Sequence, residues 1–254
     1  MGLEHLYSST YSRFVIHFIQ DRTASLPYYG PIVRGWIGTK LYRNKNLFKE
    51  VFKPETTDVK PYFLYTHHEG RHIWATLSFL GEPKSFIAEI SKTLSSEFVT
   101  NLGGVPARIE NISYSLEEFM GVEVEKEVKV KFISPTYLEK YGNPQIAPSF
   151  EDIVNATLRS ANRYMKFFAP EIYPLRIKKK DTEDVIKSFS VETFTWKHHR
   201  MNGGMVPLSG TVGEITYELK EEPNRDLRRI IGLTSFFQIG KRVGYGFGKV
   251  EVTA

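Results

Sequence analysis

The chain has 254 residues, of which 41% are hydrophobic, so it is long enough for one large domain or two small ones with packed cores. It contains no cysteine, which excludes a disulfide framework, a thiolate zinc site and a cysteine nucleophile. The net charge is +5 and most of the excess follows residue 121, where 21 Lys and Arg stand against 17 Asp and Glu, a balance that favours an anionic partner.

No apolar run approaches the roughly 18 residues of a membrane span. The first ten residues also lack the basic and then apolar build of a signal peptide. We therefore expect a cytoplasmic protein with no membrane segment, no metal and no cofactor.

The first half of the chain predicts the element order β-α-β-β-α-β from its hydrophobic periods. The helix that follows the first strand has Val33, Trp36, Ile37 and Leu41 at helical spacing. In chain order, we predict a strand at 12–20, a helix at 32–48, a strand pair around a turn at Glu69 and Gly70, a helix at 85–98 and a strand at 105–116.

The second half repeats this order. Its first helix opens with Ser149 and Asp152 in a pattern resembling a capping box. The predicted elements are a strand at 122–133, a helix at 149–168, strands at 188–200 and 209–219, a helix at 224–237 and a strand at 245–252. The sequence therefore predicts an α+β protein of two tandem ferredoxin-like (βαββαβ) domains, at 1–121 and 122–254.

Four glycines lie among basic residues in the segment GKRVGYGFGKV, at 240–250. A glycine-rich turn can direct several N–H groups at one anion, and Lys241, Arg242 and Lys249 would supply the countercharge. The alternative is a glycine-lined bend that leads into the last strand.

Together with the element order, three segments resemble the CRISPR repeat-RNA endoribonuclease family of the repeat-associated mysterious protein superfamily. YYGPIVRGWIG resembles the family's Gly-x-x-x-Arg-Gly helix start, ISPTYL its mid-chain Ser-Pro-Thr, and the C-terminal segment its signature glycine-rich loop. The resemblance implies two ferredoxin-like domains that bind the repeat of a CRISPR precursor transcript and cut it once without metal. It also implies that RNA phosphate faces Gly240, Lys241, Arg242, Gly244, Gly246 and Gly248.

Cleavage of this kind uses the ribose 2′-hydroxyl as nucleophile and leaves a 2′,3′-cyclic phosphate and a 5′-hydroxyl. Many family members place a histidine for it just after the first helix, with a tyrosine and a lysine nearby. This sequence departs from that pattern, because it has no histidine between Leu26 and Lys60.

Aligning residues 45–55 with the family's segment puts Lys49 at the histidine's position and Lys53 near the supporting lysine, with Tyr42 as the closest phenol. If the helix persists, one stripe carries Arg34, Gly38, Tyr42, Lys45 and Lys49. A lysine is a poor base at neutral pH, but clustered ammonium groups lower one another's pKa and stabilise the phosphorane. The hypothesis is therefore a histidine-free catalytic site of Tyr42, Lys45, Lys49 and Lys53. The alternative is a solvated cationic helix face that only holds RNA.

Other residues are candidates for RNA contact. Arg34 and Lys40 lie on the basic helix, and Tyr28, Tyr29, Tyr42 and Tyr245 are available for base stacking. The tip of the C-terminal hairpin carries Lys197, His198, His199 and Arg200, which could contact an RNA stem or be ordinary solvated surface.

The remaining histidines favour structural roles. His17 alternates within the first strand and is expected to be a packed or surface strand residue. His67, His68 and His72 flank the hairpin turn with Glu69, but their spacing matches no common zinc pattern, and a solvated turn is expected.

The sequence therefore predicts a metal-independent CRISPR repeat-RNA endoribonuclease with a histidine-free site. The alternative is a non-catalytic RNA-binding subunit of a CRISPR effector complex, which the missing histidine favours. The expected partners are repeat RNA and such a complex, and the protein is expected to be a monomer or a homodimer.

Overall fold

The computed structural model describes residues 6–7, 9–52, 59–82, 84–96, 99–171, 173–176, 183–199 and 204–253. The chain divides into two compact units, which we name by their order. The N-terminal unit comprises Ser9–Glu118 and Gly244–Gly246. The C-terminal unit comprises Met1–Ser8, Phe119–Val243 and Phe247–Ala254. The sequence-based boundary at residue 121 stays a prediction.

The N-terminal unit is built on a five-stranded antiparallel sheet in the order β2-β3-β1-β5-β4. Alternation sets its faces: Phe14, Ile16 and Phe18 of the first strand are buried, while Val15 and His17 are half-buried on the opposite face. The strands are β1 (Thr10–Gln20), β2 (Tyr62–Glu69), β3 (His72–Leu80), β4 (Val99–Leu102) and β5 (Val105–Glu118).

The helices of the N-terminal unit are α1 (Gly30–Leu41), α2 (Lys45–Phe52) and α3 (Lys84–Ser96). Val33 and Ile37 of α1 and Val51 of α2 belong to one core with the buried side chains of the sheet. Two elements differ from the prediction: the single helix at 32–48 is divided in two, and β4 is an added edge strand that pairs with β5.

The C-terminal unit has a four-stranded antiparallel sheet in the order β11-β6-β10-β9. Its strands are β6 (Glu127–Thr136), β9 (Asp184–His199), β10 (Met205–Leu219) and β11 (Val250–Thr253), and β7 (Leu138–Lys140) pairs separately with β8 (Asn143–Gln145). In both units the first and third strands of the βαββαβ pattern, β1 with β3 and β6 with β10, lie side by side at the centre of the sheet, which is the ferredoxin-like order. The predicted α+β fold of two ferredoxin-like units is therefore confirmed.

The helices of the C-terminal unit begin at the residues that the sequence indicated. In α4 (Phe150–Phe168), the hydroxyl of Ser149 accepts a hydrogen bond from the Asp152 N–H at 3.2 Å. In α5 (Arg225–Gly232), the Asn224 side chain accepts one from the Leu227 N–H at 2.9 Å. Short 3₁₀ turns follow at Leu233–Ser235 and Val243–Tyr245.

Candidate functional site

The basic face predicted after the first strand does not lie on one helix. Helix α1 ends at Leu41, and the side chain of Asn44 accepts a hydrogen bond from the Leu47 N–H at 3.2 Å to begin α2. The prediction of a continuous helical stripe is therefore wrong, because Asn44 acts as a helix cap and starts a new axis. The new axis also lets Leu47 and Val51 pack into the core.

The division of the helix still leaves three of the predicted catalytic residues close in the chain and accessible. Lys45 and Lys49 are exposed and one turn apart on α2. Tyr42 is 61% exposed, and its ring meets Phe48 of α2 edge to face, with centroids 5.2 Å apart. Tyr42 therefore touches the helix that carries both lysines. Lys53 lies outside the described residues.

Arg34 has its guanidinium between two aromatic rings. It lies 5.2 Å from the ring centre of Tyr245 and 5.7 Å from that of Phe52. The Arg34 Nε and the hydroxyl of Tyr62 are both buried, and neither makes a hydrogen bond of ordinary geometry with the described residues. Burial raises the pKa of Tyr62 to about 12, against a smaller opposing effect of the Arg34 charge. Arg34, which the sequence predicted to bind RNA, therefore packs its guanidinium against the ring of Tyr245 in the glycine-rich segment.

The residues Gly244–Gly246 pack closely against the start of α1. The Tyr28 hydroxyl donates a hydrogen bond to the carbonyl oxygen of Gly246 at 2.5 Å. A Cβ at Gly30 would overlap the carbonyl oxygen of Tyr245, so only glycine leaves room for that carbonyl at the helix start. The predicted stacking roles of Tyr28 and Tyr29 are wrong, because these side chains are only 5% and 1% exposed. The Tyr29 hydroxyl instead donates to Gln20 Oε1 at 2.9 Å.

The glycines of the segment differ in which protein atoms lie near the position that a Cβ would occupy. Gly246 and Gly248 have φ values of 88° and 85°, which disfavour any other residue, and a Cβ at Gly248 would overlap the carbonyl of Ile239. The N–H of Gly248 donates to the Pro135 carbonyl at 3.0 Å, so it is not directed at an anion. A Cβ at Gly240 would likewise meet the backbone of Tyr137. Gly244 is the open position, with no atom within 4 Å of its Cβ site.

Two of the three basic side chains of the segment already make polar contacts with other groups of the protein. Lys241 forms an ion pair with Glu139, and the Lys249 ammonium donates to the carbonyl of Ser235 at 2.7 Å. Arg242 has a φ of 67°, lies 5.5 Å from the ring centre of Tyr137, and buries an Nη1 that has no hydrogen-bond partner among the described residues. Arg242 is therefore the basic residue of this segment whose side chain keeps a buried donor that no described residue satisfies.

The predicted hairpin tip lies at the end of β9. Lys197 is exposed, and the ring of His198 meets Trp196 with centroids 5.1 Å apart. The backbone of His199 pairs with Met205, while Arg200 lies outside the described residues. Lys40 of α1 is half-buried. RNA contact by these residues stays a prediction.

A cluster that the sequence did not predict lies on the N-terminal sheet. His67 and His72 belong to β2 and β3, not to a solvated turn, and both stack on Trp74. The ring of His17 stacks on Trp74 as well, with centroids 4.8 Å apart. Alternation placed these residues in strands, but their contact depends on strand register, which the sequence does not reveal.

Among the residues the structure describes, no group of three or more His, Asp or Glu side chains is placed to hold a metal ion. Within those ranges no helix has the length and apolar composition that a bilayer span requires.

Fold and candidate site together define a tandem ferredoxin-like protein with a glycine-rich, basic C-terminal segment. Residues 130–250 match the family model described as CRISPR-associated endoribonuclease Cas6. Over these residues the chain therefore resembles the CRISPR RNA endoribonuclease family, as its sequence predicted. A comparison with curated proteins found no match.

Solved structures share the fold over almost the whole chain. A Cas6 product complex has a TM-score of 0.65 at 18% identity and covers 96% of this chain and 100% of its own. Thermus thermophilus Cas6 has a TM-score of 0.63 at 15% identity, with 96% and 98% covered. A structure described as a RAMP protein binding different RNA substrates has a TM-score of 0.57 at 12% identity, with 96% and 100% covered. At these identities the likeness shows the fold.

Proposed function

We propose that this protein is a metal-independent endoribonuclease that cuts CRISPR precursor transcripts within the repeat. The observation that carries the proposal is the family match over residues 130–250, which include the whole basic glycine-rich segment. The structures similar in fold include proteins whose descriptions name a product complex and bound RNA substrates. Repeat RNA is therefore the proposed substrate, and the cytoplasm, where transcripts are made, the proposed place of action.

In the proposed reaction, the 2′-oxygen attacks the adjacent phosphorus as its proton passes to a base. The bond from phosphorus to the 5′-oxygen breaks, and that oxygen takes a proton from an acid. The products are a 2′,3′-cyclic phosphate and a 5′-hydroxyl. This step needs an acid, a base and cations for the phosphorane.

The exposed face of α2 and the neighbouring Tyr42 offer these groups. The ammonium groups of Lys45 and Lys49 would neutralise the phosphorane oxygens, and either can protonate the leaving oxygen. One lysine in its amine form, or Tyr42 as a phenolate, would accept the 2′-proton. Because lysine and tyrosine are poor general bases as residue types, we expect slow cleavage.

The experiment is to incubate 5′-labelled repeat RNA with the purified protein in EDTA, beside RNA with a 2′-deoxy substitution at the cut. We expect one cut that survives EDTA and vanishes with the 2′-deoxy RNA. Lys49→Ala should slow cleavage at least about 100-fold, the low end for loss of a general acid or base, with RNA affinity nearly unchanged. Lys84→Ala is the matched control, because its side chain is 80% exposed and belongs to another helix of the same unit. Cleavage by Lys49→Ala at the rate of the unmodified protein would refute the assignment.

A second candidate function is a non-catalytic RNA-binding subunit. The missing histidine between Leu26 and Lys60 favours it. One structure similar in fold, at a TM-score of 0.65 and 12% identity, is described as a partial Cas6-RT-Cas1–Cas2 complex, so assembly with other CRISPR proteins is a proposed setting. Tight binding of the repeat without any cut would establish this function in place of the first.

A further inference from the structure

The N-terminal sheet has one face that the helices do not cover. Phe14, Ile16 and Phe18 of β1 point into the core, so Val15 and His17 point to the other face. Polar side chains are expected on the open face of an antiparallel sheet. Instead, its centre carries a half-buried tryptophan, Trp74, among three imidazole rings.

Strand register builds these rings into a row. Trp74 of β3 is the cross-strand partner of His67 on β2 and of His17 on β1. The His17 and Trp74 rings are 4.8 Å apart at an interplanar angle of 6°, and the His67 and Trp74 rings are 5.4 Å apart at 20°. These spacings approach the separation of about 4.8 Å between neighbouring strands. The three rings therefore stack face to face across the sheet, in the order His67, Trp74, His17.

His72 stabilises the inner end of the row. Its Nδ1 lies 3.0 Å from Nε2 of His17, a hydrogen bond that requires at least one of the two rings to be neutral. Desolvation, followed by the nearby His72, lowers the pKa of His17, while Glu110 opposes this effect. The lowered pKa favours the neutral form of the His17 ring, which suits aromatic stacking.

The outer end of the row reaches the edge of the sheet. His67 is exposed, and β2 is the edge strand of this sheet. The face of the His67 ring that points away from Trp74 therefore has no neighbouring strand of the sheet beside it. A further flat ring placed there would continue the row at the same spacing. Arg71, exposed in the adjoining hairpin turn, offers a positive charge near this end.

We propose that the row of His67, Trp74 and His17 is a stacking site for an unpaired RNA base, which adds to the row against the outer face of His67. Flat bases stack on aromatic side chains whatever their sequence, and ferredoxin-like sheets of RNA-recognition modules use their open face in this way. The site lies on the N-terminal sheet and uses no residue of the glycine-rich segment. This inference rests on the proposed RNA-binding function and adds a contact for single-stranded RNA.

The test measures binding of a fluorescent six-nucleotide oligoadenylate to the full chain, beside a matched oligomer of abasic ribose phosphates. Stacking of one base contributes about 1 kcal/mol or more, so His67→Ala should weaken binding of the oligoadenylate about five-fold or more. It should leave binding of the abasic oligomer unchanged. His67→Phe should restore affinity because it replaces one flat ring by another, whereas His67→Leu should not.

Two further variants test whether an effect on binding comes from the row of rings. Tyr114→Ala removes a 39% exposed aromatic ring whose cross-strand partner is the buried Phe14, so it lies on the opposite face and should bind as the unmodified protein does. Trp74→Leu should weaken binding further than His67→Ala, and thermal melting confirms that the variant is folded. Equal affinity of His67→Ala, His67→Leu and the unmodified protein for the oligoadenylate would overturn the proposal.

The outcome separates this inference from the proposed function. Repeat RNA that is cut normally while the His67 variants bind every probe equally would refute the stacking site and leave the endoribonuclease standing. Base-dependent binding through His67 without any cleavage would support the stacking site and favour the non-catalytic function. Absence of binding to either oligomer and to repeat RNA would overturn both.

Discussion

The close approach of the Tyr245 carbonyl to the start of α1 predicts opposite effects for two glycine substitutions in one helix. In Gly30→Ala, the new Cβ would overlap the carbonyl oxygen of Tyr245 and lie 2.5 Å from Cε1 of Tyr28. The carbonyl would have to move by at least about 1 Å to reach ordinary contact distance. That movement stretches the hydrogen bond from Tyr28 to Gly246, which is 2.5 Å long.

The free-energy change follows from opposing contributions. Overpacking costs about 1–3 kcal/mol and a lost hydrogen bond about 1 kcal/mol. Replacing glycine by alanine in a helix returns at most about 1 kcal/mol, and less at its first residue. We therefore expect Gly30→Ala to lower the free energy of unfolding by about 1–3 kcal/mol. Gly35→Ala is the matched control, because no atom lies within 4 Å of its Cβ site and the helix gains about 1 kcal/mol.

The assay is thermal unfolding followed by circular dichroism, with RNA affinity measured on the same preparations. For a chain of this size each kcal/mol moves the midpoint by about 2–4 °C, so Gly35→Ala should melt a few degrees higher and Gly30→Ala several degrees lower. RNA affinity should fall only for Gly30→Ala, because the displaced residues include the open Gly244. A Gly30→Ala protein that melts at or above the unmodified protein would refute the packing argument.

Two further predictions concern stability. The pKa of Tyr62 is raised to about 12 in the folded chain, whereas an unfolded chain loses this phenolic proton near pH 10. The folded state therefore has its full stability below pH 10 and loses part of it between pH 10 and about 12, where the folded chain keeps the proton and the unfolded chain has lost it. Over that range the free energy of unfolding should fall by about 2–3 kcal/mol more in the unmodified protein than in Tyr62→Phe, as urea titrations at several pH values would show; parallel pH curves for the two proteins would contradict it. Asn224→Ala should cost about 1 kcal/mol by removing the acceptor for the Leu227 N–H, whereas Asn224→Asp should keep it; equal denaturation midpoints for all three proteins would exclude a capping role.

The order of elements was predictable because both sheets have one covered face. Strands such as β1 alternate between buried and open positions, and α4 carries its own start signal at Ser149. The division between α1 and α2 was missed because apolar residues continue at helical spacing through Leu41 to Phe48. Only Asn44 marks the break, and asparagine occurs in many positions that do not cap a helix.

The candidate site was predictable in residue type but not in contact. The glycines and charges of the C-terminal segment are visible in the sequence. Only the structure reveals that other protein atoms lie against Gly246 and Gly248, whereas no atom lies within 4 Å of the Cβ site of Gly244. The row of rings was missed for another reason. His67, Trp74 and His17 come from three strands, and a shift of one residue in either register would place a neighbour on the opposite face.

The distribution of charge bears on how this protein would hold RNA. Binding of a single strand through lysine and arginine releases counterions in proportion to the phosphates contacted. Several lysines here are already engaged by carboxylates, among them Lys140, Lys187, Lys220 and Lys241. An engaged lysine must give up its partner to bind phosphate, so its net contribution is small. With a net charge of only +5, contacts that do not depend on salt must supply more of the affinity, and stacking on a preformed row of rings is a contact of that kind.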